Sequence, residues 1–317
     1  MEELKIDGIV PIVPTPFFED ERPDWESLQP LIDFAHAAGA CAVCLPAYAS
    51  EFYKLSEDER REAVARAVRY SAGRIPVIAQ VNFAASKLAV EAGRAARDNG
   101  ARALCSAVPR TVALGEKDLF RHFAQILESI ELPFVIQDFN PGGPTLSSRF
   151  VADLHSAFPH FRYIKLEEPM MAGRVREINL ATRGEVGVLE GWGGMYMLEL
   201  VPAGIVGVMP SLGVSDVLVR AFRQAKSGDV DGAYETFSHV SQQIVFSLES
   251  MELLHHVEKR LLHARGILRA PVVRNARMEL QQDQERHLEF LNRKVLDSLD
   301  RLGLPRNPAA TAVNQIR

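Results

Sequence analysis

The stretch GIVPIVPTPFFED, residues 8–20, opens on an almost unbroken apolar run and then turns without a glycine-rich loop. A strand so uniformly apolar is one covered on both faces, as parallel strands between helices are. A doubly wound nucleotide-binding sheet usually follows its first strand with a Gly-rich phosphate turn, and here that turn reads VPTPFFED. The remaining sequence decides between the two α/β architectures. Similar apolar runs recur at 41–46, 75–81, 102–108, 133–139, 162–166, 187–191 and 204–210, with helical segments between most of them. Eight strands in that rhythm predict a (β/α)8 TIM barrel.

The strands stop after about residue 212, and helices continue to about residue 302. The expected division is a barrel over 1–225, additional C-terminal helices over 226–304 packed on it, and a flexible tail over 305–317. In LSEDERREAVARAVRY (55–70), Ser56 and Glu59 form a capping-box pattern that starts a helix. In HLEFLNRKVLDSLDRL (287–302), Leu288, Leu291, Val295, Leu299 and Leu302 share one helical face, which needs cover from the barrel or from a neighbouring subunit.

Composition narrows the function. The 317 residues are 47% hydrophobic and 24% charged with a net charge of -5, which gives no electrostatic footprint for nucleic acid or for an anionic membrane. No apolar run approaches the roughly 20 residues of a membrane span. The N-terminus MEELKIDGIV has no signal-peptide pattern. Cys41 and Cys44 are spaced like half a zinc ribbon whose other half is missing, so with Cys105 they read as small buried residues rather than metal ligands. An odd cysteine count without a disulfide framework suits a reducing cytoplasm.

A barrel carries its active site at the C-terminal ends of its strands. RYIKLEE (162–168) places Lys165 near the end of the sixth strand. A buried lysine without a partner loses its proton or costs several kcal/mol. An unperturbed one, with a pKa of about 10.4, is neutral in only about one molecule in a few thousand at pH 7. Two readings stand on this segment: a desolvated lysine that attacks a carbonyl, or a strand-end lysine paired with Glu167 or Glu168.

Other strand ends carry PAYASEFYKLSEDER (46–60), VPRTVALGEKDLFRHF (108–123), QDFNPGGPTLS (137–147) and EGWGG (190–194). In this order, from about residue 8 to about residue 270, the chain resembles the dihydrodipicolinate synthase / N-acetylneuraminate lyase family of class I aldolases. The resemblance implies that Lys165 forms a Schiff base with a 2-oxo acid. It implies a homo-oligomer, dimer or tetramer, and no cofactor or metal, since the imine is the electron sink. The family's Gly-Thr-Thr-Gly-Glu loop reads Ala47-Tyr48-Ala49-Ser50-Glu51 here. The backbone N–H groups of Ala49 and Ser50 are then expected to cradle the substrate carboxylate, with Tyr48 or Ser50 standing in for the threonine hydroxyls. The family's Pro-Tyr-Tyr reads Pro109-Arg110-Thr111, which puts Thr111 at the position of a catalytic tyrosine. The proton shuttle is therefore open among Tyr48, Glu51 and Glu167.

The details are more similar to the 2-keto-3-deoxy sugar-acid dehydratase branch, which often has Gln-Asp, here Gln137-Asp138, where others have Tyr-Asn. In that reading Asp138, Gly193 and Met209 join the substrate-binding set. Arg110 either holds a distal carboxylate or lies in solvent, and Trp192 is either a pocket wall or core. The implied activity is dehydration or retro-aldol cleavage of a 2-keto-3-deoxy sugar acid. The alternatives are a pyruvate-dependent synthase and a non-catalytic homologue that binds a 2-oxo acid.

Overall fold

The computed structural model describes residues 4–140, 145–168 and 170–310. Strands and helices alternate as β1 (Gly8–Ile9), α1 (Leu28–Ala37), β2 (Val43–Leu45), α2 (Glu57–Ser71), β3 (Val77–Gln80), α3 (Ser86–Asp98), β4 (Ala103–Ala107), α4 (Glu116–Ser129) and β5 (Phe134–Phe139). They continue as α5 (Ser148–Ala157), β6 (Phe161–Glu167), α6 (Met171–Thr182), β7 (Gly187–Glu190), the one-turn α7 (Met197–Leu200), β8 (Gly207–Val208) and α8 (Ser215–Ser227). The strands run parallel in the order β1-β8-β7-β6-β5-β4-β3-β2. Ile12, just past β1, bridges to both Cys44 and Ser211, which closes the ring. The fold is the expected (β/α)8 barrel.

Strand periodicity explains both the uniform apolarity and the placement of the site. Side chains alternate between faces. Ile136, Ile164 and Leu166 join the layer between the barrel and its helices. Cys44, Cys105, Val135, Tyr163 and Leu189 form a separate cluster with Leu4 and Ile6, the filling of the barrel. The Tyr163 hydroxyl accepts from the Ile6 N–H at 2.9 Å and plugs the N-terminal end. Two and four residues further along β6, Lys165 and Glu167 occupy the same inward register, toward the C-terminal mouth.

The Ser56–Glu59 capping box starts α2 as the sequence pattern requires. Beyond the barrel, α9 (Val230–Ser247) lies on α8, and α10 (Met251–Ala264) and α11 (Gln282–Leu302) pack with α9. Leu288, Leu291, Val295 and Leu299 of α11 are buried, among Phe246, Leu253 and Val257 and against the Val240–Ile244 side of α9. At about 1.5–3 kcal/mol per fully buried side chain, this stripe is satisfied within the chain and needs no neighbouring subunit. The first part of the expected flexible tail is likewise tied down: Arg265 donates to the Arg306 carbonyl at 2.8 Å and to the Pro305 carbonyl at 3.4 Å. The rest of that expectation, residues 311–317, lies outside the described residues, as does 141–144 of the QDFNPGGPTLS segment.

Candidate active site

Lys165 is 5% exposed, and its Nζ lies 2.7 Å from Glu167 Oε1. Burial alone pushes the ammonium toward losing its proton, but the charge and hydrogen bond of Glu167 outweigh it, and the Lys165 pKa ends above its ordinary value. The balance is plausible in size. At an effective dielectric of about 20, opposite charges at that distance attract by roughly 6 kcal/mol, enough to offset a desolvation cost of several kcal/mol. The two readings of the segment thus merge: the lysine is buried at the barrel mouth and it is ion-paired. At rest it keeps its proton, contrary to the expectation of a lysine that has already shed its charge.

Glu167 Oε1 also accepts from Gln137 Nε2 at 2.8 Å. On the other side lies Gly191, where a Cβ would fall 2.2 Å from Glu167 Cγ and 2.8 Å from Lys165 Cε. Only glycine leaves room for the pair. Gly191→Ala should therefore push Glu167 aside, destabilise the fold by about 1–3 kcal/mol as overpacking does, and slow imine formation at Lys165 at least about tenfold. A melting curve and borohydride trapping with pyruvate check both effects.

A cavity of about 540 Å³ opens above the pair, within the usual size of ligand sites. Of the predicted residues, Tyr48, Ala49, Lys165, Glu167, Trp192, Gly193 and Met209 line it. The Tyr48 ring stacks edge-on to Phe52 at 5.0 Å, and burial, helped by the Glu167 charge, raises its hydroxyl pKa. Trp192 is wall, 6.3 Å from the Phe139 ring, with its indole N–H buried and without an acceptor among the described residues.

Ser50, Glu51, Arg110, Thr111 and Asp138 are not on the cavity wall, and each has a physical reason. Ser50 donates its hydroxyl to the Val13 carbonyl at 2.6 Å and its N–H to the Ala47 carbonyl at 2.9 Å. That N–H is spent within a one-turn 3-10 helix, so it is not the free donor expected for a substrate carboxylate. Glu51 has left-handed backbone (φ 60) and no exposure. It is clamped by Lys259, by Lys54 at 3.2 Å and by the Arg274 N–H at 3.1 Å. Asp138 faces away from the barrel axis, accepting from Arg110 and from the Leu146 N–H at 2.6 Å. Burial raises its pKa and the Arg110 pairing opposes that. Arg110 is thereby consumed, and Thr111 lies exposed on the loop before α4. Neither touches substrate space in this chain.

The far wall comes from segments in which the sequence pattern showed no site: Ser247, Leu248, Ser250 and Met251 at the α9–α10 junction, with Arg277 beyond. Tyr53 completes it, its hydroxyl 2.8 Å from His255 Nε2 and 3.1 Å from Glu252 Oε1. Among the described residues no cluster of three or more His, Cys, Asp or Glu side chains is arranged to hold a metal, and no helix is long and apolar enough to cross a membrane.

The pattern of the dihydrodipicolinate synthetase family matches residues 5–293. The chain belongs to that family. Among its curated relatives is the L-2-keto-3-deoxyarabonate dehydratase of Azospirillum brasilense, 26% identical over 292 residues, covering 91% of this chain and 94% of the relative. A 4-hydroxy-tetrahydrodipicolinate synthase of Azoarcus sp. strain BH72 is 34% identical, but over 149 residues, about half of each protein. The crystal structure of the Rhodopseudomonas palustris dihydrodipicolinate synthase superposes with a TM-score of 0.84 at 22% identity, covering 93% of this chain and 99% of that one.

Membership makes the chain an aldolase-like lyase, and it sharpens the reading of position 137. At the position where the resemblance sets Gln-Asp against the Tyr-Asn of other branches, this dihydrodipicolinate synthetase family chain has an amide, buried and hydrogen-bonded to Glu167. A glutamine does not titrate. Sequence reasoning saw the Gln-Asp pair only as a mark of the branch, because nothing in a single strand says which side chain will meet Glu167. The alternation of β5 supplied the signal: Val135 and Gln137 share the inward face with Lys165, and Asp138 takes the outward one.

Proposed function

We propose that this protein is a Schiff-base lyase that dehydrates a 2-keto-3-deoxy sugar acid. The observation that carries the reading is the Lys165–Glu167 pair at 2.7 Å on the cavity floor, with a non-titrating amide at its side. On substrate entry Glu167 takes the proton of Lys165, and the amine attacks C2. The Glu167 proton and one from the nitrogen pass to the carbonyl oxygen, which leaves as water, and a protonated imine forms. The imine charge acidifies C3, whose proton passes to Glu167. The resulting enamine expels the C4 hydroxyl, which takes that proton and leaves as a second water. For a five-carbon acid, moving a proton from C5 to C3 and ketonising the resulting enol gives the imine of a 2-oxo semialdehyde. Its hydrolysis returns one water and frees Lys165, so the net reaction loses one water. The substrate carboxylate meets the Ala49 N–H in the loop after β2.

Retro-aldol cleavage to pyruvate is the related outcome on the same imine, and the synthase relatives keep condensation as a second reading. A binding-only homologue is disfavoured, because a ligand pocket gains nothing from a buried lysine paired with its own base. The test sets pyruvate plus aspartate semialdehyde beside five- and six-carbon 2-keto-3-deoxy acids, following semialdehyde products and free pyruvate separately. Turnover of a sugar acid without pyruvate release is expected. Efficient condensation with no sugar-acid turnover would overturn the reading, and rapid pyruvate release would move it to an aldolase.

We further propose a homo-oligomer, supported by the large apolar side chains left on the surface, Leu180 at 83% and Met170 at 92% exposed. A monomeric mass in light scattering at micromolar concentration would count against it. The three free thiols support a reducing, cytoplasmic setting.

A further inference from the structure

We propose that Gln80, which does not line the cavity, is a positioning residue: through Gln137 it sets how the Glu167 carboxylate faces Lys165. The proposal rests on the reading of Glu167 as the base at Lys165. The side chains form a directional chain across the barrel interior, from β3 through β5 to β6. Gln137 Nε2 donates to Glu167 Oε1 at 2.8 Å. A carboxylate only accepts when ionised, so this end fixes the amide, and Gln137 Oε1 must face the other way. There it accepts from Gln80 Nε2. The second N–H of that Gln80 amide goes to Asn82 Oδ1 at 3.1 Å, which also accepts the Ala107 N–H at 2.8 Å. Gln80 Oε1 in turn faces the Cys44 thiol at 3.9 Å. Gln80 and Gln137 are 6% and 2% exposed, so no bulk water substitutes for a lost partner.

Without the Gln80 donor, the ionised Glu167 still keeps the Gln137 N–H2 group turned toward it, but the far end of the amide loses its anchor and the hydrogen bond to Glu167 slackens. The carboxylate is then held firmly by only one of the two donors on its Oε1, Lys165. With that donor weakened the carboxylate leans on Lys165 alone, so the ammonium that Glu167 already holds above its ordinary pKa keeps its proton to higher pH, and the neutral amine needed for attack appears later. The other titratable groups around Glu167 are Tyr48 on the loop after β2, Glu190 on β7, and the Cys44 and Cys105 thiols on β2 and β4. None of them donates to Glu167 in the structure, so none replaces Gln137.

The probe is pyruvate with borohydride, followed by mass gain at Lys165 as a function of pH. Gln80→Met keeps the volume and removes the amide; Gln80→Ser serves if that variant does not fold. The half-maximal pH of trapping should rise by about one unit, a roughly tenfold loss at a fixed pH on the rising limb. Gln137→Met should give the same shift, and the double variant no more than either alone, since both break one chain. A purely structural role for Gln80 lowers the melting temperature without moving the profile. An unchanged profile, or additive shifts, in a wild type that traps pyruvate would overturn this proposal alone. A wild type that never traps pyruvate would overturn it together with the lyase reading.

Discussion

Lys165→Ala should abolish covalent trapping of pyruvate and cut turnover by roughly four orders of magnitude or more, the scale of losing a nucleophile. In the wild type the reduced adduct blocks tryptic cleavage after Lys165, so label should appear in one peptide running from Tyr163 to Arg174. The instructive competitor is Lys259. It is the lysine whose burial lowers its pKa, to about 8, and by proton affinity alone it would be the better nucleophile. Geometry excludes it: its side chain is 1% exposed, held between Glu51 and the Val272 carbonyl at 2.7 Å, and it does not line the cavity. A carbonyl compound reaches Lys165 and not Lys259. Label on any peptide other than Tyr163–Arg174 would sink the assignment. The variant should fold, because Glu167 keeps its hydrogen bond from Gln137 and lines a cavity that water can enter.

The barrel was legible because its signals are local and repeated. Apolar runs covered on both faces, separated by amphipathic helices, leave few architectures. Lys165 was legible for the same reason, a charge inside such a run. The partners were harder to see. Glu51, Arg110 and Asp138 are charged residues at strand ends, and the sequence offers them all to the site. In the fold Glu51 meets Lys259 from a helix more than two hundred residues away, while Asp138 turns outward and captures Arg110. Long-range electrostatic pairing of this kind leaves no periodic trace. Removing one partner of the buried Glu51–Lys259 pair typically costs roughly 3–5 kcal/mol, so that pair serves the scaffold of the site. The roof from the α9–α10 junction was invisible in the same way, since Ser247, Leu248 and Met251 carry no motif.

Glu167→Gln separates imine formation from the steps that follow it, and its two effects have opposite signs. The substitution keeps the shape beside Gly191, where no larger group fits. It removes the charge that holds the Lys165 pKa up. Burial, the largest single influence on Lys165, then outweighs what remains and lowers its pKa, so the neutral amine exists at lower pH than in the wild type. Trapping with pyruvate should persist and extend toward acid, the reverse of the shift expected for Gln80→Met. Turnover should nevertheless fall by about 10²–10⁴-fold, the usual cost of losing a positioned acid/base. Among the described residues on the cavity wall beside Lys165, Gln137 does not titrate, and burial keeps the Tyr48 hydroxyl protonated, so neither is a ready acceptor for the C3 proton. The measurement is a pH series of borohydride trapping beside steady-state assays on the sugar acid that the wild type turns over. Full turnover in Glu167→Gln would move the proton work to Tyr48. Loss of trapping together with turnover would mean that Glu167 is needed to free Lys165 for attack, not only to move the C3 proton.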